Sequence, residues 1–184
     1  MNTEPSRDFY PPALQCPSMH CDARPKPDNV SLLVIHNISL PPNQFGGKHI
    51  EAFFCGKLDK NIHPYFSEIA EMRVSAHCLI KRNGEIIQFV PFTQRAWHAG
   101  KSSFQGRSIC NDYSIGIELE GADHIAYTPI QYASLVKLSH YLMLLFPQIK
   151  LSRIVGHCDI APERKTDPGP MFDWSFYRQC LVAL

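Results

Sequence analysis

The sequence of 184 residues has no long apolar run, no excess of either charge and no closely paired cysteine motif. A membrane-spanning helix needs about eighteen or more consecutive apolar residues, and no such run occurs. With 18 basic and 17 acidic side chains the net charge is +1, and no long basic cluster is present. That excludes the electrostatic footprint expected for nucleic acid or an anionic membrane surface as partner. The opening stretch MNTEPSRDFYPPALQ lacks the basic-then-apolar order of an export signal, so a cytoplasmic location is expected. The seven cysteines (Cys16, Cys21, Cys55, Cys78, Cys110, Cys158 and Cys180) are odd in number and scattered, unlike a disulfide-stapled secreted domain. They read as reduced thiols. Internal repeats and low-complexity tracts are also missing, and nothing demands an obligate protein partner. A small soluble substrate is the expectation.

What is present suits one domain with a buried core. Residues 1–29 carry six prolines and few clustered apolar residues, which predicts an extended arm packed on a domain spanning 30–184. Within the arm, Cys16, His20 and Cys21 could form a metal clip, but a fourth ligand is lacking. SLLVIHN (31–37) has the continuous apolar character of a central strand covered on both faces, with His36 at its end. Short helices are expected over 45–56, bounded by glycines, and from His63 onward. VSAHCLIKRNGEIIQFVPF (74–92) reads as a hairpin around Asn83-Gly84, with positive φ at both central turn residues. Residues 93–112 show no periodicity and are expected to form a long functional loop.

YSIGIELEG (113–121) alternates, placing Ile115, Ile117 and Leu119 on a core face and Ser114, Gly116, Glu118 and Glu120 on the other. Thr128-Pro129 suits a helix start, and Leu135, Leu138, Leu142 and Leu145 follow at helical spacing. LSRIVGH (151–157) predicts a further buried strand ending at His157. The expected class is therefore α/β.

Two histidines, His36 and His157, thus stand at strand ends, where a side chain can project from a rigid element into a cleft. His49, His63, His77, His124 and His140 are expected to be surface or satisfied core residues. In GHCDIAPERKTDPGP (156–170), Lys165 and Asp167 lie two apart and can share one wall. Two imidazoles and a carboxylate with an open fourth position describe a catalytic zinc site, which lowers the pKa of bound water to roughly 7. Such a site needs a base, for which Glu118 and Glu120 both qualify, and an oxyanion stabiliser, for which Lys165 qualifies. Cys158, adjacent to His157 on a strand, should point away from the metal as a core thiol.

VIHNISLPP, RVSAHCLI, RAWHAG, NDYSIGIELEG and GHCDIAPERKTDPGP together closely resemble the cytosolic anhydro-N-acetylmuramyl-L-alanine amidases of bacterial cell-wall recycling, the AmpD type. The likeness runs from about Asp22 to Trp174. It implies the fold shared with peptidoglycan-recognition proteins: a single domain with a mixed central β-sheet flanked by helices. It further implies zinc held by His36, His157 and Asp167, Glu118 as general base and Lys165 as the oxyanion-stabilising residue. The implied substrate is a soluble muropeptide cut between anhydro-N-acetylmuramic acid and L-alanine. Asn37, Tyr65 and Trp97 would line the cleft, and Arg73 and Arg107 would meet stem-peptide carboxylates. Ser108-Ile109 is less basic than the resemblance leads one to expect, which implies a changed preference among stem-peptide lengths.

Overall fold

The computed structural model describes residues 7–184. Its strands are β1 (Leu14–Gln15), β2 (Cys21–Ala23), β3 (Leu32–Ile38), β4 (Cys78–Ile80), β5 (Ile86–Gln88), β6 (Gln94–Ala96), β7 (Ser103–Phe104), β8 (Arg107–Ser108), β9 (Ser114–Glu120) and β10 (Ile154–Gly156). The helices are α1 (His49–Phe54), α2 (Pro64–Ile69), α3 (Pro129–Leu145), α4 (His157–Ile160) and α5 (Trp174–Val182). Six strands form one mixed sheet in the order β1-β5-β4-β9-β3-β10. β4 pairs with β9, β9 with β3 and β3 with β10, all parallel, while β4 and β5 are antiparallel. Among the described residues no helix is long and apolar enough to cross a membrane.

The continuous apolar run of β3 is explained by its central place. Leu33 and Ile35 pack with Ile115, Ile117 and Leu119 of β9 against Leu135, Leu138 and Leu142 of α3 and Tyr177 of α5. Leu32 and Val34 face the other way, onto Val155, Tyr113 and Ile160. Burying a Leu or Ile side chain stabilises by about 1.5–3 kcal/mol, so these two layers dominate the fold. α3 starts where Thr128-Pro129 predicts: the Thr128 hydroxyl accepts from the Gln131 N–H (3.2 Å) and the Gln131 amide oxygen accepts from the Thr128 N–H (3.1 Å).

Several expectations change in detail. The hairpin runs β4 to β5, but only Gly84 has positive φ (+83°). Its N–H donates to the Lys81 carbonyl and the Lys81 N–H to the Glu85 carbonyl, which makes a longer turn closed by a glycine bulge. Residues 93–112 are not a bare loop, since they hold β6, paired with β2, and the small β7-β8 ribbon. Residues 1–6 of the proline-rich segment lie outside the described residues. Further along, β1 adds an edge strand to the main sheet beside β5, and Arg24 is buried, donating to the Phe92, Asn111 and Ser114 carbonyls. Cys16, His20 and Cys21 do not form a cluster of metal donors. The Cys16 sulfur lies 3.4 Å from that of Cys55, Cys21 donates to Gln94, and His20 stacks on Trp97.

Candidate metal centre and cleft

Three adjacent parallel strands bring the site together. In the β3/β9 ladder His36 is the register partner of Glu118, and in the β3/β10 ladder Ile35 faces Gly156, the residue before His157. The site therefore lies toward the carboxyl ends of these strands, where open α/β sheets usually place ligands. His157 opens the short helix α4 instead of ending the strand. The Gly156 N–H donates to the Asp159 carboxylate (2.7 Å), capping that turn. The Cys158 N–H donates to the Asp167 carbonyl (3.0 Å), which docks the returning chain on the same turn. Arg164 completes the fastening by donating to the Ala99 and Lys101 carbonyls. The density of charge in 156–170 is thus divided between fastening and function.

The Nδ1 atoms of His36 and His157 are 3.0 Å apart, and each lies 3.1 Å from Asp167 Oδ2. Tetrahedral zinc with ligands at about 2.0–2.1 Å sets those ligands roughly 3.3 Å from one another, so this triangle fits one such ion. The donor chemistry agrees. Burial pushes His36 down to about 4, leaving it neutral near pH 7. Burial alone would raise Asp167, but its contacts with His157 and His36 outweigh that and hold it well below the usual carboxylate range. A neutral His36 imidazole beside an ionised Asp167 carboxylate suits the centre to a cation. His157 Nε2 faces the Ala99 carbonyl at 3.2 Å, an oxygen that can only accept, so the His157 proton sits there and Nδ1 stays free to bind metal.

A cleft of about 350 Å³ opens over this centre, lined among others by Asn37, Tyr65, Trp97, Glu118 and Lys165. Glu118 is 8 % exposed, and its Oε2 is buried without a hydrogen-bond partner. Burial raises its carboxyl well above the ordinary value, the Asp167 charge adds to this, and Lys165 opposes it. Glu120 is no solvated alternative. It is 2 % exposed, it does not line the cleft, and its two oxygens accept from the Gly46 N–H (2.6 Å) and the Arg82 N–H (2.9 Å).

The remaining expected residues divide. Trp97 is held from behind, its indole N–H donating to Asp22 (3.1 Å), which also pairs with Arg95. Asn37 donates to Asp123 (2.8 Å). Arg73 is exposed beside Met72 and Val74 on the cleft wall, without lining it. Arg107 lies over the Tyr113 ring at 3.8 Å, away from the cleft. Ile109 is 56 % exposed with φ of 57°. Cys158 is partly exposed and not a core thiol, and it stays out of the donor set because it follows His157 on a helical turn. His77 is a satisfied core residue, its Nδ1 accepting from the Gly116 N–H, and His63 caps α2.

Sequence reasoning passed over His98, which lines the cleft and meets His36 Nε2 at 2.9 Å. Burial keeps its imidazole well below the ordinary value, hence neutral. Gly116 was the available signal, because a glycine inside an alternating strand often marks close approach of another group. A Cβ there would stand 2.4 Å from His98 Cγ.

Fold and site together define an α/β protein with a His2Asp cluster able to hold a metal ion at the carboxyl end of a mixed sheet. The sequence comparisons agree with this architecture. The chain belongs to the N-acetylmuramoyl-L-alanine amidase family, whose pattern matches residues 26–170. It is 60% identical over 170 residues to the 1,6-anhydro-N-acetylmuramyl-L-alanine amidase AmpD of Citrobacter freundii, covering 92% of this chain and 90% of that one. The crystal structure of a selenomethionine AmpD derivative superposes with a TM-score of 0.93 at 56% identity, covering 97% of this chain and 99% of that one. Escherichia coli AmiD, solved with anhydro-N-acetylmuramic acid-L-Ala-D-γ-Glu-L-Lys, has a TM-score of 0.60 at 31% identity, over 83% of this chain and 57% of that one.

Proposed function

We propose that this protein hydrolyses the amide between the lactyl carboxyl of anhydro-N-acetylmuramic acid and the L-alanine of the stem peptide in soluble muropeptides. One zinc ion would be held by His36, His157 and Asp167, and the reaction would serve cytoplasmic peptidoglycan recycling. The observation that carries the reading is the buried, unpartnered Glu118 oxygen in the same cleft as the three-atom triangle. Family membership and the substrates named for the relatives support it.

When bound, zinc supplies Lewis acidity that activates water near neutral pH and polarises a carbonyl. The side chains do the rest. Glu118 accepts the proton of the attacking water. Its raised affinity for protons suits it to hold that proton and pass it to the departing alanine amine. The Lys165 ammonium stands in the cleft to offset charge developing on the carbonyl oxygen. Trp97, Asn37 and Tyr65 would seat sugar and peptide, with Arg73 as an outer contact for a stem carboxylate, while Arg107, packed on Tyr113, lies too far from the cleft for that part.

Mass spectrometry of a soluble anhydromuropeptide incubated with the protein, before and after removal and return of zinc, tests this reading. Free stem peptide plus anhydro sugar, appearing only with metal, is expected. Intact muropeptide under every condition would indicate a binding module instead. Comparable turnover of isolated sacculi would indicate an amidase of the polymer.

A further inference from the structure

The two metal-facing histidines are fixed in different ways. A neutral imidazole carries one N–H, so a His ligand binding through Nδ1 must keep its proton on Nε2. For His157 the partner of Nε2 is the Ala99 carbonyl, which leaves no choice. His36 Nε2 instead meets His98 Nδ1 at 2.9 Å, a nitrogen that can either accept or donate. His98 Nε2 in turn lies 3.0 Å from the hydroxyl oxygen of the buried Ser114.

We infer that His98 is a positioning residue that sets the His36 tautomer and through it the affinity of the site for zinc. The chain Ser114–His98–His36 has two directions. With the His98 proton on Nε2, toward Ser114, its Nδ1 accepts from His36 and leaves His36 Nδ1 bare for metal. Reversed, the Ser114 hydroxyl donates to His98, His98 donates to His36, and the His36 proton occupies the middle of the triangle, where it blocks the ion. The first direction is the metal-competent one.

The strand is shaped for this ring. Ser114, Gly116 and Glu118 alternate along one face of β9: an oxygen for His98 Nε2, an empty place, and the carboxylate of the cleft. A Cβ at residue 116 would stand 2.5 Å from His98 Nδ1 itself, so any larger side chain would push away the atom that meets His36. The His36 and His98 rings cross at 86°, which points the His36 Nε2 edge at its partner. Outer partners of this kind change metal affinity by roughly 10- to 100-fold when removed.

The inference rests on the zinc reading above, and its test separates the two. Zinc affinity is measured by competition with a chromophoric chelator for the wild type, His98→Asn and His98→Leu, with folding followed by metal-free thermal melts. Asparagine presents its amide oxygen at the place of Nδ1 and should stay within a few-fold of wild type. Leucine offers no acceptor and should bind roughly 10- to 100-fold more weakly. A folded His98→Leu with wild-type affinity, or an equal loss in both variants, overturns the assignment. A wild type that binds no zinc instead overturns the zinc reading. If His98→Leu does not fold, imidazole ¹⁵N spectra of the zinc-loaded wild type decide. Protonation of His98 at Nε2 is expected, and protonation at Nδ1 overturns the proposal.

Discussion

Glu118 and Glu120 are two residues apart on one strand, point to the same side, and are both almost fully buried, yet they belong to different regions. Around Glu120 every bond is made: the Gly46 and Arg82 N–H groups donate to its carboxylate, and Gln131 of α3 donates to its backbone carbonyl (2.9 Å). Around Glu118 one oxygen is left without a partner in a cleft. A buried acceptor without a partner costs about 1–3 kcal/mol, and native structures rarely retain one without a use. The contrast teaches that burial alone does not separate a structural carboxylate from a reactive one. Satisfaction does.

Replacing Glu118 by Ala should break the comparison most sharply. Turnover of an anhydromuropeptide should fall about 10²- to 10⁴-fold, the range for a positioned acid–base group, while the melting temperature holds or rises. Near-normal turnover in Glu118→Ala together with loss in Glu120→Ala would reverse the assignment of the base.

Acid should discriminate next, because burial holds His36 and His98 neutral. The folded-state value of His36 lies at about 4, below the ordinary 6.5. Protons therefore bind the unfolded chain first as pH falls between these values. The stability present above pH 6.5 is then lost progressively toward pH 4, by about 3 kcal/mol from His36 alone. His77 and His98 are displaced in the same direction by burial and add to the slope. Denaturant titrations of metal-free protein across this window check the sign, and a flat profile would contradict it.

Glu120→Ala should cost roughly 1–3 kcal/mol of stability, because the Gly46 and Arg82 N–H groups lose the charged acceptor they share, with turnover of the folded fraction near wild type. At the start of α3, Thr128→Ala removes a helix cap and the bond its hydroxyl donates to the Arg82 carbonyl (2.9 Å). It should lower stability by about 1 kcal/mol without touching turnover. A clear loss of activity in folded Thr128→Ala would mean that the start of α3 and the cleft are coupled.

Much of this arrangement was legible as periodicity. The apolar run ending at His36, the alternation from Tyr113 to Gly121 and the leucine stripe after Pro129 each recur as β3, β9 and α3, because strand and helix spacing decide which side chains can share a face. Residues 93–112 were opaque because their strands pair with residues about 70 positions earlier or within a two-residue ribbon, neither of which leaves a local pattern. The role of His98 was opaque for a related reason. It depends on an empty place at Gly116 and a hydroxyl at Ser114, meaningful only once β9 lies beside the ring.

By itself the sequence determined the class of fold, the chain order of its central strands and long helix and the residue types able to bind a metal, since these follow from local spacing and from the chemistry of His, Asp, Glu and Lys. Only the tertiary structure decided which of them meet. The parallel register that sets His36 opposite Glu118, the helical turn that swings His157 and Asp167 together, and the partners that satisfy Glu120 but not Glu118 all join residues far apart in the chain. Hydrogen bonds and desolvation act over a few ångströms, and chain packing alone brings such groups that close.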